Sequence, residues 1–246
     1  MGEDAGERTV PPAGEDNATG GPINPPLVFL TVFIIASCGL IYELVAANLA
    51  SYLLGDSVLQ FSTVIGVFLS AMGMGSWLSK FLTRNLPRRF VELQLAIGLL
   101  GGLSAMVLFQ SFASTQVFRV VLYALVTVIG TLVGLEIPIL MRILKNHVRF
   151  KDLVAQVLTL DYIGALAASL LFPLFLVPKL GLVRTSLLFG LLNAVVGLWS
   201  TYLLERIVGA TSGLRLRCVA VILVLASAFA FSHRFTLAVE EEVFSD

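Results

Sequence analysis

The chain has 246 residues, of which 57% are hydrophobic and 13% charged, and its mean hydropathy is +0.94. Soluble domains carry roughly a quarter charged residues. A chain this apolar cannot clothe itself in a water-compatible surface, so its expected solvent and first partner is the lipid bilayer. The 16 basic and 16 acidic residues cancel and the basic ones are scattered, which excludes nucleic acid as a partner.

Residues 1–26, "MGEDAGERTVPPAGEDNATGGPINPP", combine Gly, Pro, Ala and acids and are expected to form a disordered leader. They hold no apolar segment of the secretory type. "NAT" at Asn17 fits a glycosylation acceptor that would need a luminal face. Apolar runs of about 20 residues then predict transmembrane helices over 27–50, 57–79, 91–111, 117–141, 153–177, 184–204 and 214–232. The first run extends as far as Leu54 if the helix is tilted or broken. Residues 233–246 read as an acidic tail or as a connection to a further domain. The expected fold is an all-α integral membrane protein, a polytopic bundle of about seven transmembrane helices over 27–232.

Lipid supplies no hydrophobic reason for helices to associate, so small residues must let backbones approach. They recur at helix-face spacing as Gly66, Ser70 and Gly73 in the second span and as Gly98 and Gly102 in the third. Gly130 and Gly134 serve the fourth span, and Gly190, Ala194 and Gly197 the sixth. In the fifth, Asp161, Gly164, Ala165 and Ala168 share one face, which aims the aspartate at a helix–helix seam. Pro173 and Pro178 are expected to bend the outer end of that helix.

Basic residues set the orientation. The linkers after the second, fourth and sixth spans hold Lys80, Arg84, Arg88 and Arg89; Arg142, Lys145, Arg149 and Lys151; and Arg206, Arg215 and Arg217. The alternate linkers hold only Arg119, Lys179 and Arg184. The excess places the N-terminus and the basic linkers on the cytoplasmic side of the inner membrane and leaves the side of the C-terminus open. Cys38 and Cys218 lie far apart inside spans and read as packing residues, while His147 and His233 have no partner at ligand spacing, so no metal is expected.

Three acids lie within the spans: Glu43, Glu136 and Asp161. A carboxylate in hydrocarbon is costly, so each marks a candidate polar or cation site. Glu136 and Asp161 flank one basic linker and should lie at similar depth in an antiparallel hairpin, with Glu43 at least as deep. Such groups can share a proton, bind a cation, pair with a base such as Arg142, or fasten helices by hydrogen bonds. Tyr42 and Tyr162 each adjoin an acid, but neighbouring helical residues do not share a face. No catalytic motif is present: there is no phosphate-binding Gly-rich loop, HExxH or nucleophile elbow.

Three stretches carry a family resemblance: "CGLIYELVAANLASYLLGDSVLQFSTVIGVFLSAMGMGSWL", "VGLEIPILMRIL" and "LDYIGALAASLLFPLFLVPKLGLVRTSLLFGLLN". Together they resemble the membrane-embedded N-terminal half of membrane-bound spermidine synthases, the polyamine aminopropyltransferases. The resemblance implies a chain that anchors the enzyme or handles its cationic, polyamine ligand. It also implies that transfer of an aminopropyl group from decarboxylated S-adenosylmethionine to putrescine occurs in a Rossmann-like domain whose motifs are not found here. No cofactor is therefore expected in this chain. The alternatives are a stand-alone secondary transporter for a cation or polyamine, and a structural membrane partner; a homo-oligomer is compatible with each.

Overall fold

The computed structural model describes residues 25–145, 150–203 and 212–244. Every long element among them is a helix: α1 (Pro25–Leu54), α2 (Ser57–Leu78), α3 (Leu86–Gln110), α4 (Thr115–Leu144), α5 (Phe150–Leu171), α6 (Val177–Leu203) and α7 (Ser212–Phe244). Six helical stretches are long and apolar enough to cross a membrane, judged by length and composition. The expected leader, Asn17, His147, Arg149 and Arg206 lie outside the described residues, as do the side chains of His233 and the acidic tail.

One of the six stretches, Asp152–Leu203, covers 52 residues. The carbonyls of Gly164 and Phe189 meet adjacent residues of α1, the former accepting from Ser37 Oγ at 3.0 Å and the latter from Cys38 Sγ at 3.6 Å. A straight helix would hold those carbonyls roughly 37 Å apart at 1.5 Å per residue. The chain must therefore double back between them. It does so at Gly181, whose φ of 73° and ψ of 173° suit only a residue without Cβ. Two helical segments thus cover the expected fifth and sixth apolar runs. Their division differs from the expected proline bend: Pro173 lies in a π-helical turn, Phe172–Leu176, and the reversal itself belongs to the glycine. α7 also runs past the expected end at residue 232, to Phe244.

Contact registers give the direction of each helix. Between α3 and α4, Gln94 meets Glu136 and Phe112 meets Phe118, so one number falls as the other rises and the pair is antiparallel. Between α2 and α4, Thr63 meets Tyr123, Ala71 meets Gly130 and Ser79 meets Arg142, so that pair is parallel. α6 and α7 run antiparallel through Arg184–Ser232 and Thr201–Arg215. α3 and α7 run parallel through Glu92–Arg217 and Gly102–Leu225. Short connections between successive helices produce this alternation. The tightest is Gly55–Asp56, where both residues have positive φ and the Asp56 carboxylate accepts from the Leu59 amide at 3.2 Å.

Glycines set the closest contacts. A Cβ on Gly75 would meet the Thr131 carbonyl, and one on Gly134 the Met72 carbonyl, so α2 and α4 touch backbone to backbone. On the α3–α6 seam, a Cβ on Gly190 would stand 2.6 Å from both Gly102 Cα and Gly98 O. A Cβ on Gly164 would likewise stand 2.5 Å from the Phe33 carbonyl oxygen of α1. The second span departs from expectation. Gly66 and Gly73 have open space where a Cβ would go, and Ser70 is exposed. α2 instead packs through Gln60, Val64, Phe68, Ala71 and Gly75.

α1 lies at the centre, meeting α2 to α6, with Val32, Cys38, Ile41, Val45 and Leu49 fully buried. The outside of the bundle is apolar as well. Leu69, Leu166, Leu174, Leu216, Leu223 and Phe231 are all more than half exposed.

Candidate functional site

The interior holds polar groups that apolar packing does not explain. Glu136 in α4 is 2% exposed and Gln94 in α3 is wholly buried. Gln94 Nε2 donates to Glu136 Oε1 at 2.7 Å. Two local features place the acid. Gly134 brings α4 against the α2 backbone, and Pro138, lacking an N–H, cannot donate to the Gly134 carbonyl one turn earlier. The acid thus sits at a weakened point of its own helix.

Asp161 stands on α5, which packs along α1 and also meets α4, while Cys38 and Tyr42 stand on α1. Glu136 and Asp161 thus stand on helices that meet, with no hydrogen bond between the two acids among the described residues. Asp161 is only half-buried, and it has no hydrogen bond or ion pair among the described residues.

The other expected site residues divide. Tyr42 belongs to the site: its ring lies against Gly101, where an added Cβ would come within 2.6 Å of the Tyr42 Cζ. Glu43 is buried at 6% exposure, but it points to a different face of α1 and touches neither Glu136 nor Asp161. The three acids therefore do not form one cluster. Tyr162 is 68% exposed and faces away. Arg142 does not pair with an acid: its Nη1 donates to the Ser79 carbonyl at 2.8 Å and closes the C-terminal end of α2. Among the described residues no Lys or Arg balances Glu136, Asp161 or Glu43.

Sequence reasoning missed two amides, Gln94 and Asn193. Asn193 of α6 is 1% exposed, and its Cβ packs over Gly98. Gln94 packs likewise under Gly197. The available signal was an uncharged amide inside an apolar run, one helical turn from a glycine of the same helix. Residues 94, 98, 101 and 104 share a face of α3. Along it run Glu136–Gln94, Asn193, Tyr42 and the Ser104–Ser186 pair, over about 15 Å at 1.5 Å per residue. Ser186 Oγ lies 2.6 Å from the Gly101 carbonyl and 2.8 Å from that of Gly102.

This polar column is incompletely satisfied. Tyr42 Oη, Gln94 Oε1 and both amide atoms of Asn193 are buried without a hydrogen-bond partner among the described residues. Such an orphan costs about 1–3 kcal/mol. Beside Tyr42 and Ser104 lies a small cavity, walled by Ala46, Phe68, Leu108 and Val126, with room for about one water molecule. Among the described residues no group of His, Cys, Asp and Glu could hold a metal ion.

Comparison with known proteins agrees with the resemblance at the level of polyamine aminopropyltransferases. A polyamine aminopropyltransferase of Leptospira interrogans is 50% identical over 219 residues, covering 89% of this chain and 44% of its own. Polyamine aminopropyltransferase 1 of Ralstonia nicotianae is 51% identical over 246 aligned positions, covering 96% and 47%. Polyamine aminopropyltransferase 1 of Streptomyces coelicolor is 41% identical, covering 74% and 37%. The chain is thus homologous to polyamine aminopropyltransferases over about nine-tenths of its length, and it spans less than half the length of these relatives. No family model matches it and no solved structure is similar to it.

Proposed function

We propose that this chain is the membrane-embedded helical half of a polyamine aminopropyltransferase-type protein, holding that protein in the inner membrane and handling its cationic ligand. The observation that carries the reading is identity of about half with polyamine aminopropyltransferases across most of the chain. The apolar exterior of the bundle supports the membrane part, because side chains such as Leu166 and Leu223 would face water in any other setting. So do the bundle ends, where Lys80 sits 4.0 Å from the Trp77 ring centroid and Arg215 4.1 Å from that of Tyr202, as at a membrane–water interface.

In this reading Glu136 of α4 and Asp161 of α5 are the groups that meet a cation, and Glu43 is a separate acid on the central α1. In the same reading decarboxylated S-adenosylmethionine and the transfer chemistry are assigned to another domain, as the family resemblance implies. Fractionation and product analysis test the proposal together. The chain should sediment with inner membranes and resist alkaline carbonate extraction, while those membranes form no spermidine from putrescine and decarboxylated S-adenosylmethionine. Recovery in the soluble fraction, or spermidine formation by the chain alone, would overturn it. Spermidine uptake by proteoliposomes containing only this chain would favour a secondary transporter instead.

A further inference from the structure

We infer that Arg88 and Arg89 of α3 and Arg217 of α7 form a headgroup site for an anionic phospholipid whose acyl chains lie along the α3–α7 seam. The inference rests on the membrane-embedded part of the proposed function and adds a ligand on the outside of the bundle. All three arginines converge on one carboxylate. Arg88 Nε stands 3.1 Å from Glu92 Oε1, Arg89 Nη1 3.3 Å from Oε2, and Arg217 Nη1 3.8 Å from Oε1. Three guanidinium groups against one carboxylate leave a net charge of +2. Among the described residues, hydrogen bonds to Glu92 occupy one nitrogen of Arg88 and one of Arg89, and Arg217 is held by charge alone. Their side chains are 54%, 58% and 64% exposed, so the remaining N–H donors open onto the bundle surface. The positive-inside bias asks only that basic residues lie on one side of the membrane. It does not ask that two helices bring three of them to a single acid.

A phosphodiester supplies what such a cluster is short of. The planar fork of a guanidinium meets two phosphate oxygens at once through charge-assisted hydrogen bonds. The seam beyond the cluster selects a lipid over free phosphate. α3 and α7 run parallel from the Glu92–Arg217 contact to that of Gly102 with Leu225, about 12–15 Å further along. On α7, Val224 lies two turns beyond Arg217 on the same face and is 50% exposed, beside Leu223 at 63%. On α3, Leu99 lies two turns beyond Glu92 on the same face and is partly buried. The arginine donors therefore stand at one end of an apolar seam, which offers phosphate chemistry at its head and hydrocarbon below. A soluble anion would use only the head. The net charge of +2 further favours a lipid with two phosphates, such as cardiolipin, over one with a single phosphate. A zwitterionic headgroup, whose own cation meets the arginines, fits least.

Native mass spectrometry of the full chain in an uncharged detergent, titrated with defined lipids, tests the inference. Cardiolipin should bind more tightly than phosphatidylglycerol, and phosphatidylcholine should bind weakest. Inorganic phosphate at the same concentration should not displace bound cardiolipin. Arg88→Gln, Arg89→Gln and Arg217→Gln should each weaken cardiolipin binding roughly fivefold, the size expected for one basic residue at an anionic surface. Glu92→Gln should act in the opposite sense and tighten it several-fold, because its carboxylate competes for the same donors. Lys179→Gln, near the Arg184–Ser232 end of the bundle, should change nothing. Melting temperatures measured in parallel separate lipid recognition from fastening. A cluster that only ties α3 to α7 would lower the melting temperature of every variant, Glu92→Gln included, and leave lipid affinity intact. Equal affinity for phosphatidylcholine, displacement by inorganic phosphate, an equal loss in Lys179→Gln, or unchanged affinity in the arginine variants would each overturn the inference. A chain that enters membranes yet does not discriminate among these lipids sinks this inference alone, whereas a soluble chain sinks the proposed function.

Discussion

Two glycines that look alike in sequence should respond oppositely to alanine. Gly190 and Gly66 both stand in small-residue patterns inside apolar helices. At Gly190 a Cβ would lie 2.6 Å from Gly102 Cα and from Gly98 O, about 1 Å inside ordinary contact with backbone that cannot rotate away. α3 and α6 must part by about that distance. Overpacking of this kind costs about 1–3 kcal/mol. The separation also stretches the hydrogen bond that the Ser186 hydroxyl shares between the Gly101 and Gly102 carbonyls, worth about 0.5–1.5 kcal/mol in all. Against this, alanine gains roughly 1 kcal/mol of helix propensity. Gly190→Ala should therefore lose about 0.5–3.5 kcal/mol, while Gly66→Ala, with nothing within 4 Å, should be neutral or gain up to about 1 kcal/mol. Unfolding in mixed micelles with rising SDS, followed by circular dichroism, measures both. Equal destabilisation of the two variants would refute the assignment of seam and open face.

Further expectations follow from other contacts. Ser186→Ala should destabilise by about 0.5–1.5 kcal/mol in the same SDS titration, because its hydroxyl carries a bond from α6 to the Gly101 and Gly102 carbonyls of α3. Gly181→Ala should cost about 1–3 kcal/mol through its positive φ alone, since the space around it is open; a neutral result would show that the reversal lies elsewhere. Glu92, bridged by exposed Arg88, Arg89 and Arg217, should contribute less than about 1 kcal/mol, so Glu92→Gln should barely move the midpoint and less still in high salt. A reporter fused after α7 should report the face opposite the Arg88–Glu92–Arg217 cluster, because α7 runs parallel to α3 away from it; activity on the cluster's own face would contradict the helix directions.

The helices were legible because hydropathy over about 20 residues depends only on composition, and the structure lengthens most runs by a few residues at their polar ends. Turn reversals were less so. Pro173 and Pro178 advertise themselves, yet the chain turns at Gly181, because ψ near 180° with positive φ leaves no trace except a glycine among many. Which glycine faces inward was also hidden. Gly66 and Gly73 have the spacing of a packing face, but the partner helix chose the face of Ala71 and Gly75. In the site, Glu136 and Asp161 were visible as costly charges flanking one basic linker. Gln94 and Asn193 were not, since an uncharged amide reveals its importance only when its neighbours fail to satisfy it.

The central position of α1 has a consequence for how the molecule is made. Ser37 finds its partner, the Gly164 carbonyl, 127 residues later in the chain. At 5–20 residues per second of synthesis, roughly 6–25 s pass before that partner even exists. During this interval the most buried helix of the finished bundle stands half unclothed, with α2 and α4 able to pair without it. The first helix to emerge is then among the last to be enclosed, and any early quality control would have to read α1 in a state that the mature protein never shows.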